Sequence, residues 1–164
     1  MKLYRCLSDL SQWMSQVTGR LIVTGRRLWS AGGMLNQTDK IVVDERNEGG
    51  LRVHVQAGGI DFVADEPVEA GGLGSGPNPY DLLGAALGAC TAMTLRLYAA
   101  RKQWPLEGVH VEVRHERRDR DAFVRDIRLE GPLDENQRER LLQIAERCPV
   151  HRTLTAGALV ETLT

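Results

Sequence analysis

The sequence is short of the residues that build reactive or rigid frameworks. Of 164 residues only three are cysteine, Cys6, Cys90 and Cys148. They are too few and too scattered for a secreted disulfide scaffold. A reducing, cytoplasmic setting is therefore expected, in which free thiols are either inert core residues or redox groups. None has a CxxC partner, which excludes a thioredoxin-type motif and a zinc ribbon. Charge of either sign is also missing in surplus: 21 Lys and Arg stand against 22 Asp and Glu, for a net charge of −1. A dedicated nucleic-acid binder needs a basic excess to neutralise phosphates, so that class is excluded. No apolar run reads as long enough to cross a membrane, and no charged segment followed by a long apolar core opens the chain. Neither a membrane span nor a signal peptide is expected.

What is present is a stretch that organises the rest, Gly76 to Leu95. Asn78 fits an N-cap, which puts Pro79 at the first helical position, where its missing N–H costs nothing. No further proline follows until Pro105, so a helix is expected from Pro79 to about Arg101. Leu82, Leu83, Ala86, Leu87, Met93, Leu95, Leu97 and Tyr98 cover nearly every side of its wheel, and a helix apolar all round is a buried one. Cys90 sits in its middle.

Around this helix the pattern has period two. Residues 40–45, 51–56 and 60–64 read as three antiparallel strands, with Gly49-Gly50 and Gly58-Gly59 as hairpin signals. His54 reads as a solvent-facing strand residue. Gly71, Gly72 and Gly74 form a flexible entry to the helix; they lack the Lys-Ser/Thr or dinucleotide spacing of a phosphate loop. After Trp104-Pro105, residues 106–116 and 123–130 alternate as a second hairpin, its arginines and acids on the outer face. Asp134 and Gln137 form a capping-box pattern for a helix from about Glu135 to Arg147, with Cys148 at its C-terminal end and Pro149 stopping it. A last strand is expected over 158–162. The order βββ-α-ββ-α-β describes an α+β domain, not a parallel nucleotide-binding fold. At this level Cys90 and Cys148 could be buried structural thiols, a redox pair, or, with His151 and a fourth group, zinc ligands.

The segments Gly76-Pro77-Asn78-Pro79-Tyr80-Asp81-Leu82-Leu83, Gly88-Ala89-Cys90-Thr91-Ala92-Met93-Thr94 and Glu146-Arg147-Cys148-Pro149-Val150-His151-Arg152-Thr153-Leu154 together resemble the OsmC/Ohr family. These are the osmotically inducible protein C and organic hydroperoxide resistance proteins. The resemblance runs from about Lys40 to Thr164 and is nearest to OsmC-like members with Asn-Pro-Tyr before the first cysteine. It implies an OsmC-like fold, antiparallel sheets wrapped around a long buried central helix, in an intertwined homodimer with active sites at the interface. The apolar helix agrees, since the remaining elements are few to cover it in a monomer.

The resemblance also implies thiol-dependent reduction of organic hydroperoxides, without cofactor or metal. Cys90 would be the peroxidatic cysteine and Cys148 the resolving one, with an external dithiol reducing the disulfide. A position at a helix C-terminus, facing the negative dipole end, would disfavour the Cys148 thiolate and leave the first attack to Cys90. The hydroperoxide-resistance branch has a Glu where this chain has Tyr80, and that Glu helps hold an Arg from the loop after the first strand. Arg46 is the nearest match to that Arg. Asp81, next to Tyr80, would point about 100° away around the helix. His151 and Arg152 are alternative sources of positive charge beside Cys148. With Tyr80 and Met93 they are the candidate substrate-binding residues. A second reading is a non-catalytic member that binds a hydrophobic small molecule in the same dimer cleft.

Residues 1–38 carry one short amphipathic pattern, Leu3, Leu7, Leu10, Met14, Val17 and Leu21, then a Gly-Arg-rich linker. They read as an extension to a domain spanning 39–164, with Met34 as an alternative start. Isolated helices of about 12–15 residues are marginal in water, so the extension is expected to be dispensable. Deleting residues 1–38 should leave a single cooperative thermal transition in calorimetry; a lost or split transition would show that the segment belongs to the fold.

Overall fold

The computed structural model describes residues 40–163. The amphipathic pattern and Cys6 lie outside the described residues. The first elements are β1 (Val42–Asp44), β2 (Val53–Ala57) and β3 (Ile60–Ala64), an antiparallel sheet in that order. Val55 stands opposite Phe62 on one side and Val43 on the other. The sheet is thinly covered: Val55 and Ala64 are buried, whereas Ile41, Val43 and Ile60 are exposed.

The central helix, α1 (Pro79–Lys102), starts as its sequence dictates. The Asn78 side chain accepts hydrogen bonds from the N–H groups of Tyr80 and Asp81, and the Asp81 carboxylate accepts from Asn78 N–H at 3.0 Å. This is a capping box with proline at the first position. Gln103, in the left-handed conformation, ends the helix after Arg101 and Lys102, whose charges suit the C-terminal dipole.

The helix is not buried all round. Only Leu87, Thr91, Leu95 and Ala99, four apart, form a buried stripe, while Leu83, Met93 and Leu97 are exposed. One hairpin and two short helices cover a single side. By length and composition this helix is apolar enough to cross a membrane, a property the sequence reading did not credit to it. Its buried stripe instead faces elements of its own chain.

Those elements are the long hairpin β4 (Gly108–Arg117) and β5 (Asp121–Glu130) and the helix α2 (Glu135–Ala145). Leu95, Ala99, Leu106, Leu133, Leu141, Ile144 and Ala145 form the core, with Trp104, Ile127 and Leu129 packed against it. Gly88 lets β4 close on the helix: a Cβ there would lie 3.4 Å from a Val113 methyl. Arg96 ties the helix to the hairpin's entry by donating to the carbonyls of Leu106 and Glu107.

Two expectations fail after α2. Pro149 does not simply stop a helix ending at Arg147. It is the first residue of a further helix, α3 (Pro149–Ala156), and Cys148 is that helix's N-cap. The expected strand at 158–162 pairs with no strand among the described residues, and Leu159, Val160 and Leu163 are exposed.

The glycine-rich entry to α1, expected to be flexible, is tied down by one buried carboxylate. Asp65 Oδ1 accepts from Glu66 N–H, and Oδ2 accepts from the N–H groups of Leu73 and Ser75 and from the Ser75 hydroxyl at 2.8 Å. Gly72 is required there, because a Cβ would sit 1.8 Å from the Glu66 carbonyl oxygen. Burial would raise the Asp65 pKa, but these donors outweigh it and hold the carboxyl down from 3.8 to about 2. A depressed carboxylate pKa stabilises the fold above the unfolded value, and this contribution is lost as pH falls through the folded one. Asp65→Asn, which turns an N–H₂ towards N–H donors, should therefore lower the melting temperature at neutral pH. The gap to wild type should narrow as pH is taken from about 4 towards 2; a gap independent of pH would contradict this role.

Candidate functional site

The site begins with the stripe on α1. Thr91 lies fully buried within it, one residue from Cys90. The first turn of α3 comes down beside both and delivers Cys148. Cys90 is half-buried and Cys148 fully buried, and both are free thiols. The two thiols lie close enough that the charge on one is felt by the other.

The environment divides the pair unequally. Burial and the Cys148 thiol push the Cys90 thiol up, against weaker support from Val150 N–H and the Thr94 hydroxyl. Burial also acts to raise Cys148. It is outweighed by the Cys90 thiol, the N–H of His151, the Thr91 hydroxyl and the N–H of Val150, so this thiol is held down. The first turn of a helix presents unpaired N–H groups and the positive dipole end to an anion. The expectation that Cys148 faces a negative helix end is thus reversed: it caps the start of α3, not the end of α2.

A residue the sequence reading passed over completes the site. Arg125 belongs to β5, opposite Val113. It was counted among the arginines of the outer face, yet its side chain is only 8% exposed. Its guanidinium donates to Thr91 Oγ1 at 2.8 Å, to the Ala145 carbonyl at 3.2 Å, to Glu146 Oε1 at 2.9 Å and to His151 Nδ1 at 3.0 Å. Accepting through Nδ1 leaves the His151 proton on Nε2, which faces Glu146 Oε2 at 3.2 Å. A signal was available, because strict alternation puts Arg125 on the same side of the strand as Phe123, Ile127 and Leu129.

The other candidates divide. His151 reaches the site, whereas Arg152 is exposed beside it. Arg46 lies on the three-stranded sheet, exposed and 3.8 Å from Asp44; it touches neither cysteine within the chain. Met93 is 65% exposed on the open side of α1. Tyr80 stacks on His115 with ring centroids 4.1 Å apart and lines a cavity of about 440 Å³ with Gly84, Gly88, Val111 and Val113. A second cavity, of about 540 Å³, lies against the cysteine site and is walled by Leu87, Phe123, Arg125, Glu146, His151 and Leu154. Both nitrogens of His151 are engaged, and among the described residues no cluster of His, Cys, Asp and Glu has the arrangement of a metal site.

A long apolar helix backed by an antiparallel hairpin, with a cysteine at its centre and a second brought over it by a following helix, defines the class. The OsmC-like protein family model matches residues 72–162, more than half of the chain, and the chain belongs to that family. The fold is similar to the OsmC-like protein of Mycoplasma pneumoniae at 18% identity and a TM-score of 0.60, covering 74% of this chain and 89% of that one. It is also similar to an organic hydroperoxide resistance protein OsmC of Legionella pneumophila, at 23% identity and a TM-score of 0.52 over 73% and 91% of the two chains. The organic hydroperoxide resistance protein OhrB of Bacillus subtilis matches at 22% identity and 0.52 over 71% and 90%. No curated protein sequence matches the chain.

Proposed function

We propose that this protein is a thiol peroxidase of the OsmC/Ohr type, acting on organic hydroperoxides. The observation that carries the reading is the pairing of two free thiols, Cys90 half-buried and Cys148 fully buried, each within the other's electrostatic reach. The relatives whose names include organic hydroperoxide resistance agree with it. The more accessible sulfur is the one a peroxide meets first, so Cys90 is assigned the first step. Cys148, the thiol held down, ionises first and takes the Cys90 proton, and the Cys90 thiolate attacks the outer oxygen of R–O–O–H, the same proton later going to the alkoxide. An S–O bond forms, the O–O bond breaks, and the alkoxide leaves as alcohol after taking a proton. Cys90 is then a sulfenic acid. Cys148, again a thiolate, attacks that sulfur. An S–S bond forms, the S–O bond breaks, and water leaves. An external dithiol returns the disulfide to two thiols by exchange.

The same reading includes a homodimer. The exposed apolar residues Leu83, Met93 and Leu97 on α1 and the unpaired segment carrying Leu159, Val160 and Leu163 support it. Uncovered apolar surface of this kind marks an interaction site. Light scattering on the full chain should return twice the monomer mass. A non-catalytic member that binds a hydrophobic small molecule is the second reading, favoured by Tyr80, whose ring stands in the wall of a cavity and is stacked on His115.

Cumene hydroperoxide in slight excess separates the two. The reduced protein should lose both thiols and yield a Cys90–Cys148 disulfide in peptide mass spectra. Cys90→Ser should slow peroxide consumption to the rate of an ordinary free thiol, and Cys148→Ser should over-oxidise to the sulfinic acid. Equal, slow consumption by wild type and Cys90→Ser would refute the peroxidase and leave the binding protein.

A further inference from the structure

Burying a guanidinium is costly unless it is paired and hydrogen-bonded. Arg125 is 8% exposed, and its partners lead towards the thiols. One is Thr91, whose hydroxyl has a single proton. In the resting arrangement that proton goes to the Leu87 carbonyl at 2.7 Å, while Arg125 donates to Thr91 Oγ1 itself. Thr91 adjoins Cys90 on α1, and its hydroxyl is one of the groups that hold the Cys148 thiol down. A hydroxyl that accepts from a cation is a stronger donor in turn, so when the sulfur ionises the proton can swing from the carbonyl to the thiolate. A second partner is the His151 ring, three residues beyond Cys148 in the first turn of α3. By binding His151 and the Ala145 carbonyl together, Arg125 also fixes the end of α2 against the start of α3.

We propose that Arg125 is a positioning residue for the cysteine pair. It clamps Thr91, next to Cys90 on α1, to His151 in the first turn of the helix that Cys148 caps, so that the Thr91 hydroxyl and that turn can serve the Cys148 sulfur as donors, and it is the buried cation of this site within the chain. The role in turnover rests on the peroxidase reading; the role in ionising the pair does not. The titratable and charged groups facing the Cys148 thiol are Cys90 from α1, Arg125 from β5, Glu146 after α2 and His151 from α3, with Arg147 and Arg152 exposed nearby. Glu146 is bonded to Arg125 and reaches His151, so the positive charge is partly neutralised on the side away from Thr91.

The test uses the full chain carrying Cys6→Ser, in which the thiolate absorbance in the ultraviolet reports only the pair. Thr91→Val removes the hydroxyl at constant shape, and Thr91→Ser restores it. Arg125→Lys keeps the charge without the fork. The first ionisation should move up by about one pH unit in Thr91→Val and in Arg125→Lys, which is a tenfold loss of thiolate below it. Thr91→Ser should return it to the parent value. Circular dichroism checks that each variant is folded, and if Arg125→Lys is not, the threonine pair decides alone. Ionisation of Thr91→Val at the parent pH would overturn the proposal. The titration involves no peroxide, so a shifted titration in a protein that consumes no hydroperoxide would sink the peroxidase reading and leave this one standing. Under the peroxidase reading, Thr91→Val should also accumulate sulfinic acid on Cys90, because resolution slows.

Discussion

The site depends on one buried cation that must satisfy its donors. A guanidinium on the core side of a strand cannot be left without acceptors, so the elements around Arg125 are arranged to supply them: a hydroxyl from α1, a carbonyl and a carboxylate from the end of α2, and a ring nitrogen from α3. Meeting those needs brings three separate segments to one point. It also ties the first turn of α3, which Cys148 caps, to α1 beside Cys90. The thiol pair is a product of that convergence more than of any local motif.

A second constraint is the imbalance between α1 and what covers it. A helix apolar on every side has only one stripe, Leu87 to Ala99, in contact with its own core. Burying a Leu or Met side chain is worth about 1.5–3 kcal/mol, and Leu83, Met93 and Leu97 leave much of that unrealised in a single chain. The thinly packed three-stranded sheet and the unpaired C-terminal segment add to the same deficit. The homodimer proposed above would recover part of this burial. At the other end of the helix Asp65 holds the glycine-rich entry in place. The direction in which α1 leaves the sheet is thus fixed independently of any partner.

Much of this architecture was legible from residue patterns. The start of α1 was written in Asn78, Pro79 and Asp81 because capping is a local interaction completed within four residues. Both hairpins followed from period-two alternation, and the start of α2 from Asp134 and Gln137. Pro149 could not be read locally, since proline both ends one helix and begins another. Which it does depends on whether the chain after it has something to pack on. The C-terminal segment has the pattern of a strand, but a strand needs an edge, and the edge is not in its own sequence. The cysteine motifs themselves pointed to the family. The electrostatics of the pair did not follow from them, because Cys148 changes from facing a helix's negative end to its positive end with a shift of a few residues in where α2 stops. Arg125 is one of many arginines on an alternating hairpin; alternation puts it on the side of Phe123, Ile127 and Leu129, but nothing local says what it meets there. Its importance comes from strand register, helix rotation and the path of α3, which together place it between Thr91 and His151. The sequence by itself determined the elements, their caps and the two cysteines. Only the tertiary structure decided which charge attends the thiols, because that requires segments 34 and 26 residues away from Arg125 to meet at hydrogen-bond distance.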